Sequence, residues 1–260
     1  MVIKTLCLDL DGTLYIDNAP IPGALEALKS LSSQYEIAFV TNTTSLSVAA
    51  IAAQMTELGF DPGTDRIFNP SRVARDVLLS SGMASGLLLA EPSAREDYHW
   101  FREVPPSSPH CRTVLIGTEG YDLTFRDLEK PLEALLAGAQ LCTLQKNRFY
   151  MKNGVIALDM GPITAALEYA SGKTATLFGK PSARLFETVA AKKHCTPEQM
   201  VMVGDDIEFD VFGPEDIGIT SVLVRTGKYR AEYEASLTRK AHHSISSIVE
   251  LQSMLNHLRG

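Results

Sequence analysis

Four apolar runs rich in β-branched residues, IKTLCLDL (3–10), EIAFVTN (36–42), MVMVGD (200–205) and GITSVLV (218–224), constrain the fold of this chain most. A strand with one wet face alternates polar and apolar residues. These runs are nearly continuous, so they read as parallel strands covered on both faces. Helical apolar spacing fills the intervals in PGALEALKSL (22–31), SVAAIAAQMTELG (47–59), which ends on Gly59, and SARLFETVAAKK (182–193). Strands alternating with helices predict an α/β fold with a doubly wound parallel sheet.

The texture changes in the middle of the chain. LLLAE (87–91), TVLIG (113–117) and AQLCTL (139–144) read as strands, FRDLEKPLEALLAG (125–138) and PITAALEYASG (162–172) as helices, and VPPSSP (104–109) as a loop. A smaller α/β unit over 83–177, inserted into a core made of 1–82 and 178–260, accounts for this order. A chain of 260 residues is long enough for one large domain or two unequal ones.

Charge and composition exclude several classes. A net charge of −7 and the absence of a basic run argue against nucleic acid and anionic membranes as partners. No signal segment and no apolar stretch of membrane-spanning length is seen, so a cytoplasmic protein is expected. Cys7, Cys111, Cys142 and Cys195 lack the spacing of disulfide frameworks or zinc knuckles and read as reduced, mostly buried thiols. The histidines show no metal-ligand spacing.

In an open parallel sheet, ligands bind beyond the carboxyl ends of the strands. Asp9 and Asp11 stand at one such end, Thr41 and Asn42 at a second, Asp205 and Asp206 at a third. Any one of these aspartates could be a turn former or helix cap. Capping gives no reason to gather acids on one sheet edge, whereas a bound cation does. Oxygen donors without histidine or thiolate select a hard ion, and magnesium (Mg2+), completed by water and phosphate, fits best. In FGKPSARLF (178–186), Lys180 precedes a helix whose first turn is expected to hold Pro181. Beside a phosphate and clustered acids its ammonium would neutralise phosphoryl charge. SGKT (171–174) imitates the end of a phosphate-binding loop, but that motif needs glycine at 167, where Leu167 stands, so a helix-ending turn is expected.

Together DLDGT (9–13), TN (41–42), GKPS (179–182) and GDDIEFD (204–210) resemble, in order, the four motifs of the haloacid dehalogenase-like phosphatases. The insertion after the second motif resembles the branch with a large α/β cap, which holds nitrophenyl-phosphate, pyridoxal-phosphate, phosphoglycolate and phospholysine/phosphohistidine/pyrophosphate phosphatases. The resemblance implies a Rossmann-like core and a magnesium-dependent phosphatase acting on a small phosphorylated substrate. Asp9 would be the nucleophile that carries the phosphoryl group, and Asp11 the acid and then base. Asp205, Asp9 and the backbone carbonyl of Asp11 would hold the metal. Thr41, Asn42, Lys180, Leu10 and Gly12 would surround the phosphate. Asp206, Asp210 and Thr13 would support these groups from behind, the first two through water or as outer ligands on one helix face.

Two departures from the family pattern stand out. Thr43 replaces a frequent asparagine, and the cap runs QKNRFYMKNG (145–154) where an asparagine-aspartate pair is common. The second departure looks more like the phospholysine and pyrophosphate branch. Lys146, Arg148, Tyr150 and Lys152 alternate there, so in a strand they would share one face and could select an anionic substrate; a solvated edge strand is the competing reading. A homodimer through the cap is also open to the chain. The rival functions are another phosphoryl transferase of the superfamily, such as a mutase, or a dehalogenase, which does not need Asp11. A receiver-like signalling module would keep its phosphoaspartate, and a binding protein would have a vestigial site.

Overall fold

A computed structural model describes residues 2–118, 123–152 and 155–259. The chain forms two compact units. Met1–Thr41, Ala49–Phe68 and Lys180–Gly260 make the first, and Asn42–Val48 with Asn69–Gly179 the second.

Six parallel strands build the sheet of the first unit, in the order His243–Ile245, Thr220–Val224, Met200–Gly204, Thr5–Leu8, Glu36–Val40, Ile67–Phe68. All four apolar runs are present as strands, and two short edge strands extend them. Leu6, Cys7, Leu8, Phe39, Val40, Met200, Val203 and Leu223 have no exposed surface. Burial of each Val, Leu, Ile, Phe or Met side chain contributes roughly 1.5–3 kcal/mol, which explains why these runs tolerate no polar alternation.

From Thr5–Leu8 the chain first winds to one side, then restarts on the other with Met200–Gly204. Right-handed crossovers place the helices of the two halves on opposite faces, as a doubly wound sheet requires. The winding reverses at Thr5–Leu8, which is where open α/β sheets bind their ligands. Register makes those ends level: Leu8 lies opposite both Val203 and Phe39. Asp9 therefore emerges at the switch point.

The second unit has its own parallel sheet, ordered Thr176–Leu177, Gln140–Thr143, Thr113–Gly117, Ser85–Ala90, Arg102–Glu103, and an antiparallel hairpin of Phe149–Lys152 with Val155–Leu158. Its three anticipated strands are present. The helix expected over 125–138 opens instead as a tight turn, Phe125–Leu128, on a capping box of Thr124 and Asp127, and becomes α-helical over Glu129–Leu136. Met160–Ser171 is capped by Asp159 and ends on Gly172 at φ 69°, so SGKT is a helix-ending turn as expected. Pro70–Ser80, a helix not anticipated above, starts where the Asn69 side chain accepts the Arg72 N–H at 3.1 Å.

All four cysteines are free, Cys7 and Cys142 being buried and Cys111 and Cys195 half-buried. Among the described residues no helix is long and apolar enough to cross a membrane.

Candidate active site

Asp9 leaves its strand with its N–H still bonded to the Val203 carbonyl at 2.9 Å. Its buried carboxylate accepts a 2.5 Å hydrogen bond from Lys180 Nζ, which lies 2.7 Å from Asp210 Oδ1 and donates to the Val40 carbonyl at 3.2 Å. Three oxygens thus surround one ammonium. Burial works against the charge of Lys180, but Asp210 and Asp9 outweigh it and raise its pKa above the ordinary lysine value. Lys180 does not stand directly on a helix. Ser182 caps Ala183–Lys192 by accepting the Arg184 N–H, so Pro181 lies ahead of the helix rather than in its first turn.

Asp9, Asp205 and Asp210 each offer one oxygen within 4.8 Å of the others. Burial raises the carboxyl of Asp205 to about 7, with the charge of Asp9 adding to it. Asp210 is pushed up to about 8, again by burial first, although Lys180 pulls the other way. Such mutual repulsion is what a bound cation relieves, and an all-oxygen donor set suits a hard divalent ion. The backbone is shaped around Asp205. A Cβ on Gly12 (φ +85°) would come within 2.0 Å of its Oδ2, and one on Gly227 (φ +54°) within 2.2 Å. The Lys228 N–H donates to the same oxygen at 2.6 Å, and the Thr226 hydroxyl donates to the Gly12 carbonyl.

Asp11 is exposed and is not one of the three converging carboxylates. Partial desolvation and then the neighbouring charge of Asp9 raise its pKa. Leu10, Gly12 and Thr13 form a tight buried turn in which the Leu10 carbonyl accepts the N–H groups of Thr13 (3.2 Å) and Leu14 (2.8 Å). Thr41 is buried and its N–H donates to the Phe68 carbonyl at 3.1 Å, while Asn42 belongs to the second unit.

Asp206 and Asp210, expected to be alike, differ. Asp206 Oδ1 accepts the N–H groups of Glu208 (3.0 Å) and Phe209 (3.2 Å) and so caps the widely wound helical turn Ile207–Phe212. Its own N–H donates to Asp210 Oδ2 at 3.1 Å, aligning Asp210 with the cluster. In the second unit Lys146 pairs with Glu168 at 2.9 Å, and exposed Arg148 precedes the strand, which begins at Phe149. The alternation read from Lys146 onward therefore does not start in a strand. The Tyr150 side chain lies outside the described residues.

Sequence reasoning missed Thr226, Gly227 and Lys228. The signal was present: RTGKY (225–229) follows an apolar run and lies at a strand end like the other motifs.

The haloacid dehalogenase-like hydrolase family model matches residues 6–100, and a HAD-hydrolase-like model matches 177–251. Human haloacid dehalogenase-like hydrolase domain-containing protein 2 is 36% identical over 258 residues, covering 98% of this chain and 97% of the relative. The chain belongs to the haloacid dehalogenase-like hydrolases. Human phospholysine phosphohistidine inorganic pyrophosphate phosphatase is 31% identical over 260 residues, 97% of this chain and 94% of that protein. A 4-nitrophenylphosphatase from Thermotoga maritima superposes with a TM-score of 0.88 at 26% identity, covering 96% of this chain and 97% of that one. This haloacid dehalogenase-like hydrolase is a phosphatase, acting on phosphoric monoesters.

The raised carboxyls of this hydrolase have a consequence for stability. Unfolded aspartate titrates near about 4, so between about pH 4 and 8 the folded chain holds protons that the unfolded chain has released. The stabilising contribution of those protons is complete at low pH and is lost as pH rises through about 7 and 8. A divalent cation held by these carboxylates would replace the lost protons. The rise in melting temperature on adding magnesium to chelator-treated protein is therefore expected to grow between about pH 5 and 8. Thermal scans across that range check this, and an increment that shrinks with pH would contradict it.

Proposed function

We propose that this phosphatase hydrolyses a small phosphorylated compound with the help of magnesium, passing the phosphoryl group through Asp9. The observation that carries the reading is the position of the Asp9 carboxylate, at the switch point of the sheet, 2.5 Å from the Lys180 ammonium and among the oxygens of Asp205 and Asp210.

An Asp9 oxygen attacks phosphorus, the bond to the leaving oxygen breaks, and Asp11 gives that oxygen its proton. Water then attacks the acyl phosphate, Asp11 takes a proton from it, and orthophosphate leaves with Asp9 restored. The raised pKa of Asp11 suits a group that must hold a proton before giving it away. Lys180 holds the Asp9 carboxylate in direction through its 2.5 Å hydrogen bond. Asp9, Asp205 and the Asp11 carbonyl would hold magnesium, with Asp210 completing the carboxylate set. When bound, the metal offsets the carboxylate repulsion and draws charge from the phosphoryl oxygens. Thr41 and the turn Leu10–Thr13 border the place where the phosphate would sit. Relatives named for 4-nitrophenyl phosphate, phospholysine, phosphohistidine and pyrophosphate support a small substrate.

Magnesium should support turnover, and calcium should support little, because calcium accepts extra oxygens and can engage both oxygens of Asp9. Chelation should abolish activity without unfolding the chain. Assays on a panel of phosphorylated metabolites under each metal, with rapid-quench detection of phosphoenzyme, test the reading. Equal rates in calcium, or turnover that survives chelation, would overturn it.

A further inference from the structure

Lys228 stands apart from the buried cluster of Asp9, Lys180, Asp205 and Asp210. Its N–H holds Asp205 Oδ2 at 2.6 Å, so the loop that carries it is keyed to the carboxylate cluster. Its exposed side chain lines a cleft of about 140 Å³ together with Asp205, Asp206, Glu208, Tyr229 and Tyr233. The other cations near Asp205 are occupied. Lys180 is buried among Asp9, Asp210 and Val40, and the Arg230 guanidinium donates to the carbonyls of Gly227 (3.1 Å) and Tyr229 (2.8 Å). Among the described residues no acid forms an ion pair with the Lys228 ammonium.

The charge balance explains what this cation could do. Asp9, Asp11, Asp205, Asp206 and Asp210 bring five negative charges when ionised. A divalent metal and Lys180 offset three. A substrate with anionic charge on its leaving side as well as on its phosphoryl group meets a field that repels it unless another cation faces it. We infer that Lys228 binds an anionic group on the leaving side of the substrate, so that this phosphatase favours compounds bearing a second phosphate or a carboxylate over those with a neutral leaving group. The inference rests on the function proposed above.

Phosphonates test it without turnover, because their P–C bonds resist hydrolysis. Methylenediphosphonate carries a second anion and methylphosphonate does not. In magnesium, calorimetric titration should show Lys228→Met weakening methylenediphosphonate by about tenfold, the scale of one lost charge-assisted contact, and methylphosphonate by less than about threefold. Lys228→Arg should retain most of the preference. Both variants keep the backbone N–H that holds Asp205. In steady state, Lys228→Met should lower kcat/KM for pyrophosphate relative to 4-nitrophenyl phosphate, mainly through KM. Equal weakening of the two phosphonates, no weakening, or a native protein that does not prefer methylenediphosphonate would overturn the inference. A native protein that shows this binding pattern but releases no phosphate from any substrate would sink the proposed function and leave the role of Lys228 standing.

Discussion

Asparagine at position 9 should lower turnover by at least about four orders of magnitude, the scale reached when a covalent nucleophile is removed. A carboxamide oxygen cannot form the acyl phosphate, and nothing near it substitutes: Asp205 and Asp210 are buried with raised pKa values, and Asp210 is tied to Lys180 and to the Asp206 N–H. The fold should survive. Asparagine is nearly isosteric, Lys180 keeps Asp210 and the Val40 carbonyl as partners, and one source of repulsion is gone. Phosphate release by Asp9→Asn, measured beside its melting temperature, decides the matter. Retention of more than about a hundredth of native activity would remove Asp9 from the mechanism.

Asp11→Asn should cost about a hundredfold to ten-thousandfold, the usual range for a general acid or base. The loss should depend on the leaving group. Nitrophenolate leaves without much help, so with 4-nitrophenyl phosphate the second half of the reaction suffers most, and phosphoenzyme should accumulate in the variant. With an alkyl phosphate the first half suffers too, and less should accumulate. Rapid-quench trapping on both substrates separates these outcomes. Equal accumulation on both would deny Asp11 its role as acid. A phosphoenzyme that lasts for minutes in the native protein would belong to a receiver-like module instead.

How far the site could be read from the sequence depended on which forces leave a local mark. Strands buried on both faces do, because every residue of Thr5–Leu8 and Met200–Gly204 must be suited to burial. Acids at the ends of such strands are conspicuous against that background, so Asp9, Asp11 and Asp205 were visible at once. The difference between Asp206 and Asp210 was not. It depends on a turn wound more widely than an ordinary helix, whose cap spends Asp206 on backbone donors, and residue spacing does not reveal that winding. Lys146 misled for a related reason: alternation predicts a shared face only once a strand has begun, and this strand begins three residues later, leaving Lys146 to Glu168 on the Met160–Ser171 helix. The helix Pro70–Ser80 was legible in its cap, Asn69 before Pro70, but its apolar residues are interrupted by charges. Gly227 and Lys228 were legible as residues at a strand end, but their closeness to Asp205 follows from Thr220–Val224 lying next to Met200–Gly204, which is information about strand order.

The central strand has a further consequence, for the growing chain. Thr5 pairs on one side with Glu36, which follows soon after, and on the other with Met200. At about 5–20 residues per second, a ribosome leaves the second edge of this strand open for roughly 10–40 seconds. During that interval Asp9 exists without Asp205 or Asp210, and the strand has an apolar edge that could pair with another chain. The acids that would repel one another in the finished protein are therefore kept apart during synthesis and meet only when the last quarter of the chain arrives. Premature termination before Met200 leaves a product whose hazard is aggregation rather than stray phosphatase activity.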